Sequence, residues 1–309
     1  MATSILIGNG INRLSNAGVS WEQILRQLVV ESESAKELEY VKDKPFALLY
    51  EEILLSRTTR TGTVDDMGAK RKIASLVTTL CPNEYHKRLI SAPVNHILTT
   101  NYDYTLEHAS TAVFKSMNLQ TETKYSLFRR WTTGQSQVWH VHGEANVPNT
   151  ITLGYDQYCG YLQKLRTYAT AERNGEKGSP FKRGELDFDA NADSKYGWLD
   201  VFFRDDIHIV GLGLDFTEID IWWALTYKGR LARRGFAVGK TCFHDWHTGP
   251  IADVGLAKRS LLEALGVEVR SADCTDGFGP AYDAFLSTLS IIQSAPVRPS
   301  TSWASRSEV

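Results

Sequence analysis

The sequence predicts an α/β fold, a Rossmann-like doubly wound, mostly parallel sheet with a helical insertion. Three observations carry that expectation. Short apolar runs alternate along the chain with stretches of helical periodicity, the pattern of strands joined by crossover helices. Nearly all of the runs stop abruptly in polar or glycine-containing loops, which in such sheets gather where ligands bind, at the carboxyl ends of the strands. The first run, Ser4–Ile7, breaks at once into Gly8-Asn9-Gly10 followed by polar Asn12 and Arg13. Strand, glycine turn and helix is the usual opening of a doubly wound domain, with backbone N–H groups aimed at a phosphate.

The remaining strands follow the same logic. Val94–Thr100 ends in Asn101-Tyr102-Asp103, Val138–His142 in Gly143, Ile207–Val210 in Gly211-Leu212-Gly213, and Ala237–Phe243 in His244-Asp245, while Val267–Arg270 reads as the last strand. Helical periodicity marks Trp21–Val30, Pro45–Ser56, Ala69–Leu80, Thr105–Met117, Glu218–Ala232, Val254–Leu265 and Tyr282–Ile292. Residues 31–93 interpose mainly helical sequence between the first two strands. Residues 166–197 are polar and glycine-rich, as lids and interaction surfaces are. One domain over 1–293 is expected, with a disordered Pro-, Ser- and Arg-rich tail over 294–309.

Composition removes several function classes. The 309 residues carry 34 basic and 36 acidic side chains, a net charge of −2, so no global basic field exists to grip nucleic acid, and direct nucleic-acid binding is not expected. No apolar run approaches the roughly 18 residues of a membrane span, and the first residues lack the basic and apolar regions of a secretory signal. Cys81, Cys159, Cys242 and Cys274 form no C-x-x-C pair, which argues against a zinc module and for reduced thiols in a cytoplasmic protein.

Four short motifs, and one further cluster, could carry chemistry. Gly8-x-Gly10 lacks the third glycine of the dinucleotide fingerprint, since Arg13 stands there, and no acidic residue follows about 20 positions on. A dehydrogenase is disfavoured, and the turn by itself is explained as readily by tight strand-to-helix geometry. Thr99-Thr100-Asn101-Tyr102-Asp103 places an amide donor and acceptor just past a strand end, while Asp103 divides between a ligand hydroxyl and a helix cap. In Trp139-His140-Val141-His142-Gly143, alternation puts both histidines on one face; His142, last in the strand, is better placed to take a proton at neutral pH. Gly211-Leu212-Gly213 allows close backbone approach to a ribose or phosphate, and Thr217 and Asp220 behind it have capping-box spacing. His244-Asp245-Trp246-His247 looks like a metal or catalytic cluster but is expected past a strand end.

In order and spacing these motifs resemble the sirtuin family. The resemblance assigns Asn101 to the NAD ribose, His142 to catalysis, the Gly8–Gly10 turn to the pyrophosphate and the Gly211–Gly213 turn to the adenine-side ribose. The family's paired zinc cysteines are missing, and the opening Gly8–Asn12 followed by Trp21 is similar to the sirtuin-like domains of bacterial anti-phage systems. The resemblance therefore implies an NAD+ glycohydrolase acting in abortive infection, with NAD+ as substrate and no metal. It implies Asn101 and His142 as the catalytic pair, and Gly8, Asn9, Gly10, Asn12, Thr100, Asp103, Gly211 and Gly213 as the nucleotide-binding set. A homo-oligomer, or a complex with a separate sensor or ATPase subunit, would switch the enzyme on. A protein deacylase and a non-catalytic nucleotide sensor are the alternatives. Whether His140, Asp220 or His244 touches substrate is left open by the sequence.

Overall fold

β1 (Thr3–Ile7) lies at the centre of the sheet, and Ser4 to Ile7 are all buried because both faces of the strand are covered. It pairs in parallel with β2 (His96–Thr99) on one side and with β6 (Asp206–Val210) on the other. The structure is a computed structural model that describes residues 2–15, 20–30, 44–56, 65–111, 115–116, 124–133, 136–170 and 196–292. Beyond β2 stands β5 (Ser136–His140), again parallel, then β4 (Arg130–Thr133) and β3 (Lys115–Ser116), both antiparallel. Beyond β6 stand β7 (Thr241–His247) and β8 (Val267–Asp273), both parallel. Among the described residues the sheet has eight strands, in the order β3-β4-β5-β2-β1-β6-β7-β8. The chain runs outward from β1 through β2 to β5 and then returns across β1 to β6. This reversal opens a crevice at the carboxyl ends of β1 and β6, where open α/β sheets bind ligands.

Alternation along β1 divides the core. Leu6 packs with Ile207 and Ile209 of β6 against α7 (Trp198–Arg204) and α8 (Ile219–Arg233), with α6 (Tyr155–Thr170) and α9 (Asp253–Ala264) on the same face. Ile5 and Ile7 point the other way, toward α4 (Glu84–Ile90), α5 (Thr105–Ala109) and α10 (Gly279–Ile292). A third cluster joins α1 (Trp21–Val30), α2 (Phe46–Ser56) and α3 (Asp66–Val77) to Tyr102, Tyr104, Ile151 and Leu153. Helices α2, α3 and α4 fall within residues 31–93, so the described part of that stretch is mainly helical, and its Phe46 lines the cleft.

Several boundaries differ from the sequence reading, each for a local reason. α3 begins three residues early because Asp65 caps it, accepting from the Gly68 N–H at 2.7 Å. α5 stops at Ala109, and β3 occupies part of the range expected to be helix. α7, Trp-Leu-Asp-Val-Phe-Phe-Arg, shows no helical period because six of its seven residues, Asp200 included, are buried and it has no wet face to set one. β4 has no apolar run; its Arg130 is buried with the guanidinium 4.6 Å from the Trp139 ring centroid. β7 is displaced from Ala237–Phe243 to Thr241–His247, so His244-Asp245-Trp246-His247 lies inside a strand rather than beyond one. α6 runs to Thr170, so the first residues of the polar 166–197 stretch are helical; 171–195 and 293–309, which hold the rest of that stretch and the expected tail, lie outside the described residues. Among the described residues no helix is long and apolar enough to cross a membrane.

Candidate active site

The glycine turns after β1 and β6 interlock. Gly8 N donates to Val210 O at 3.0 Å and Gly10 N to Gly211 O at 2.8 Å. A Cβ on Gly8 would stand 2.6 Å from Gly211 O, and one on Gly10 would stand 2.7 Å from Gly211 Cα. Gly211 has φ +61, and its Cβ would meet the Tyr282 hydroxyl at 2.2 Å. Close backbone approach and a left-handed conformation thus explain these glycines before any ligand is considered. The turn after β1 leads into a single three-residue 3-10 turn, Asn12–Leu14, and α1 begins only at Trp21. The expected strand–turn–helix opening is therefore interrupted, and no α-helix N-terminus follows Gly10 directly.

Two adjoining clefts, of about 370 and about 350 Å³, flank this glycine ridge, and both are lined by Gly10, Arg13 and Gly211–Gly213. Arg13, standing where a dinucleotide fingerprint has its third glycine, is exposed and brings a fixed positive charge to both. The first cleft is closed by Asn9, Thr100 and His142, and by an aromatic wall of Trp21, Phe46 and Tyr102. Trp21 meets Tyr102 edge-on at 5.0 Å between centroids and Phe46 at 5.7 Å. The second cleft reaches His244, Asp245 and Trp246 at the end of β7.

His142 is 2% exposed, and its Nε2 lies 2.7 Å from Asp220 Oδ2 at the first turn of α8. Burial opposes a charged imidazole here, but the charge of Asp220 and its hydrogen bond, with Glu218 behind, outweigh it and hold the pKa above the ordinary histidine value. Glu218 lines the same cleft. Burial pushes its carboxyl up to about 7; His142 opposes that rise and Asp220 adds to it. The capping box expected from Thr217 and Asp220 does not form: Thr217 donates from both N and Oγ1 to Asp215 Oδ1, and Asp220 is left for the histidine.

Nor do the two histidines share a face. β5 ends at His140, and Gly143 at φ +101 turns the chain, so strand alternation no longer governs His142. His140 points to α5, with Nε2 2.8 Å from Glu107 Oε1 and Nδ1 3.1 Å from Asn101 O. Burial disfavours a charged ring here, but the charge of Glu107 and its hydrogen bond outweigh it and raise the pKa above the ordinary histidine value. His140 thereby fixes the Asn101 backbone. Asn101 is 3% exposed; its Nδ2 donates to Gly8 O at 3.3 Å, and its Oδ1 is buried with no protein partner among the described residues.

Asn12 and Asp103 stand one layer back from the cleft. Asn12 Nδ2 donates to Asp103 Oδ2 at 2.8 Å and to Asn9 Oδ1 at 2.9 Å, and its Oδ1 accepts from His86 Nε2 at 2.9 Å. Asp103 Oδ1 in turn accepts from Thr105 N at 3.0 Å. The network ties the first glycine turn to α4 and α5. Sequence reasoning brought Asn9, Gly10, Thr100, His142, Gly211 and Gly213 to one cleft, but missed Arg13, Glu218, Tyr158 and Lys258, which also line it. The acidic Glu218-x-Asp220 pair following a glycine turn was the available signal for one of them.

Comparison with known proteins places this geometry. Residues 95–176, which hold the Thr99–Asp103 segment, His140 and His142, match the family of SIR2-like domains. Over 172 residues the chain is 28% identical to the NAD(+) hydrolase ThsA of Acinetobacter baumannii (strain 532279). That match covers 54% of this chain but only 33% of the relative, so it spans about a third of the relative's length. The stretch similar to SIR2-like domains thus holds Asn101, His140 and His142, while the interlocked glycine turns lie on either side of it in the sequence.

Proposed function

We propose that the chain is an NAD+ glycohydrolase that splits NAD+ into nicotinamide and ADP-ribose. The observation that carries this reading is the buried His142–Asp220 pair in the wall of the first cleft. Asp220 accepts from Nε2–H, which leaves Nδ1 as the basic nitrogen. The C1′–N bond breaks through an oxocarbenium-like ribose, and nicotinamide leaves neutral without a general acid. Water then adds to C1′, and His142 takes the proton from it or from a ribose hydroxyl. Asn101, with its unpartnered Oδ1, orients the ribose or the water. Arg13 and the glycine ridge receive the diphosphate, with the adenosine in the second cleft. Asp103 acts through Asn12 on the shape of the first turn. The name of the relative, an NAD(+) hydrolase, supports this substrate.

The reading extends to an anti-phage effector that depletes NAD+ and is held inactive until it assembles with copies of itself or a separate sensor subunit. Activation is then a population shift, the partner binding the competent arrangement more tightly than the resting one. Incubation with NAD+, alone and with the product of the neighbouring reading frame, followed by chromatography, tests the proposal. Nicotinamide plus free ADP-ribose is the expected outcome. Reduced cofactor, or acylated ADP-ribose formed from an acyl-lysine peptide, overturns it. Full activity of the isolated monomer overturns the switch alone.

A further inference from the structure

On the α10 face of β6 and β7, away from the His142 cleft, three metal-ligating side chains converge. His208 stands directly opposite Cys242 in the parallel ladder, and His244 is two residues further along β7 on the same face. One ligand atom from each lies within 4.8 Å of the other two. His208 Nδ1 and His244 Nε2 are 3.0 Å apart, and Cys242 Sγ is 3.7 Å from His244 Nε2. A tetrahedral zinc ion with its usual bond lengths sets nitrogens about 3.3 Å apart and sulfur about 3.6 Å from nitrogen. From these juxtaposed side chains we infer a binding site for a borderline-soft divalent ion of the zinc class, held by His208 Nδ1, Cys242 Sγ and His244 Nε2, with water in the fourth position.

The surroundings suit such an ion. Phe285 of α10 packs against both imidazoles, at 4.9 Å from His244 and 5.7 Å from His208, and fixes their rings. His208 Nδ1 and His244 Nε2 already face each other across a shared hydrogen, so the two ring atoms that would bind the ion converge on one point. Glu268 and Arg270, in register with Cys242 and His244 on β8, pair with each other at 2.8 Å, so the arginine's charge is met locally. Binding replaces the Cys242 S–H bond by an S–metal bond and releases one proton; the hydrogen shared between the imidazoles moves to an outer ring nitrogen. The sequence reading expected no metal, and this site departs from it; the site adjoins the second cleft through His244 but holds neither His142 nor Asn101. It staples β6 to β7 just before the Gly211 turn.

Cys81 and Cys159 are exposed thiols, open to adventitious metal binding, so the test uses the full chain with both changed to serine. Titration with Zn2+ against a chromophoric chelator should show one tight equivalent, and Co2+ should give a tetrahedral spectrum with a thiolate charge-transfer band. Cys242→Ser should abolish that band, and His208→Ala should weaken zinc binding at least a hundredfold. Where Cys242→Ser fails to fold, protection of Cys242 from alkylation by bound zinc in the parent chain replaces it. Absence of a stoichiometric equivalent, a cobalt spectrum without the band, or no protection of Cys242 overturns the assignment. None of these readouts depends on NAD+ turnover.

Discussion

With its Nε2 held 2.7 Å from Asp220, the imidazole of His142 has no choice of tautomer, and the residue-scale predictions follow from that constraint. His142→Ala and Asn101→Ala should each lower NAD+ turnover by about a hundredfold or more, read as nicotinamide released. Asp220→Asn should lower kcat and change the pH profile. The raised histidine pKa means that the wild-type enzyme loses its base as pH falls through a value above the ordinary one. Without the carboxylate, the acid limb of kcat/KM should move to lower pH; an unmoved limb refutes the pairing. The same shift has a stability side of opposite sense: the His142–Asp220 pair contributes most below the unfolded histidine pKa, and that contribution is lost as pH rises through the folded one. His140, which the sequence left open, is paired with buried Glu107. Removing it strands Glu107 in the interior, so His140→Ala should destabilise by about 3–5 kcal/mol in denaturant unfolding.

Among elements, the glycine turns give the clearest contrast. Gly211→Ala combines a left-handed φ with a clash against Tyr282 and should cost at least about 1–2 kcal/mol. Gly213, where an added Cβ meets nothing within 4 Å, should tolerate alanine to within about 0.5 kcal/mol, as thermal melts of both variants would show. The sequence made such turns visible because a strand buried on both faces is an apolar run and its end is abrupt. It hid β4, whose buried arginine rests on a tryptophan ring, and α7, whose uniform burial erases the period. His142 and Asn101 were legible by their place at strand ends. Their partners were not, because Asp220 lies 78 residues from His142 and its spacing from Thr217 suggested a cap. Only tertiary packing decides which of two local roles a carboxylate takes.

For the molecule as a whole, three apolar clusters back the two clefts, two across the sheet and one among α1–α3. Leu6→Ala, at the middle of the central strand and fully buried, should cost about 2–5 kcal/mol while leaving the KM for NAD+ unchanged in the folded fraction. A changed KM at unchanged stability would mean that the sheet and the cleft are not one cooperative unit.

The central strand finds its second neighbour late: Thr3 pairs with Asp206, roughly 200 residues downstream. At about 5–20 residues per second of synthesis, some 10–40 s separate the appearance of the two glycine turns that form the ridge. Until then Gly8 and Gly10 have nothing to lock against, and Asp220 has not reached His142. A chain still on the ribosome therefore lacks the assembled cleft for most of its translation, which suits the NAD+ hydrolase proposed above. A fragment ending at residue 204 should show no heat of NAD+ binding in calorimetry; measurable binding would show that the first two thirds of the molecule can build the site alone.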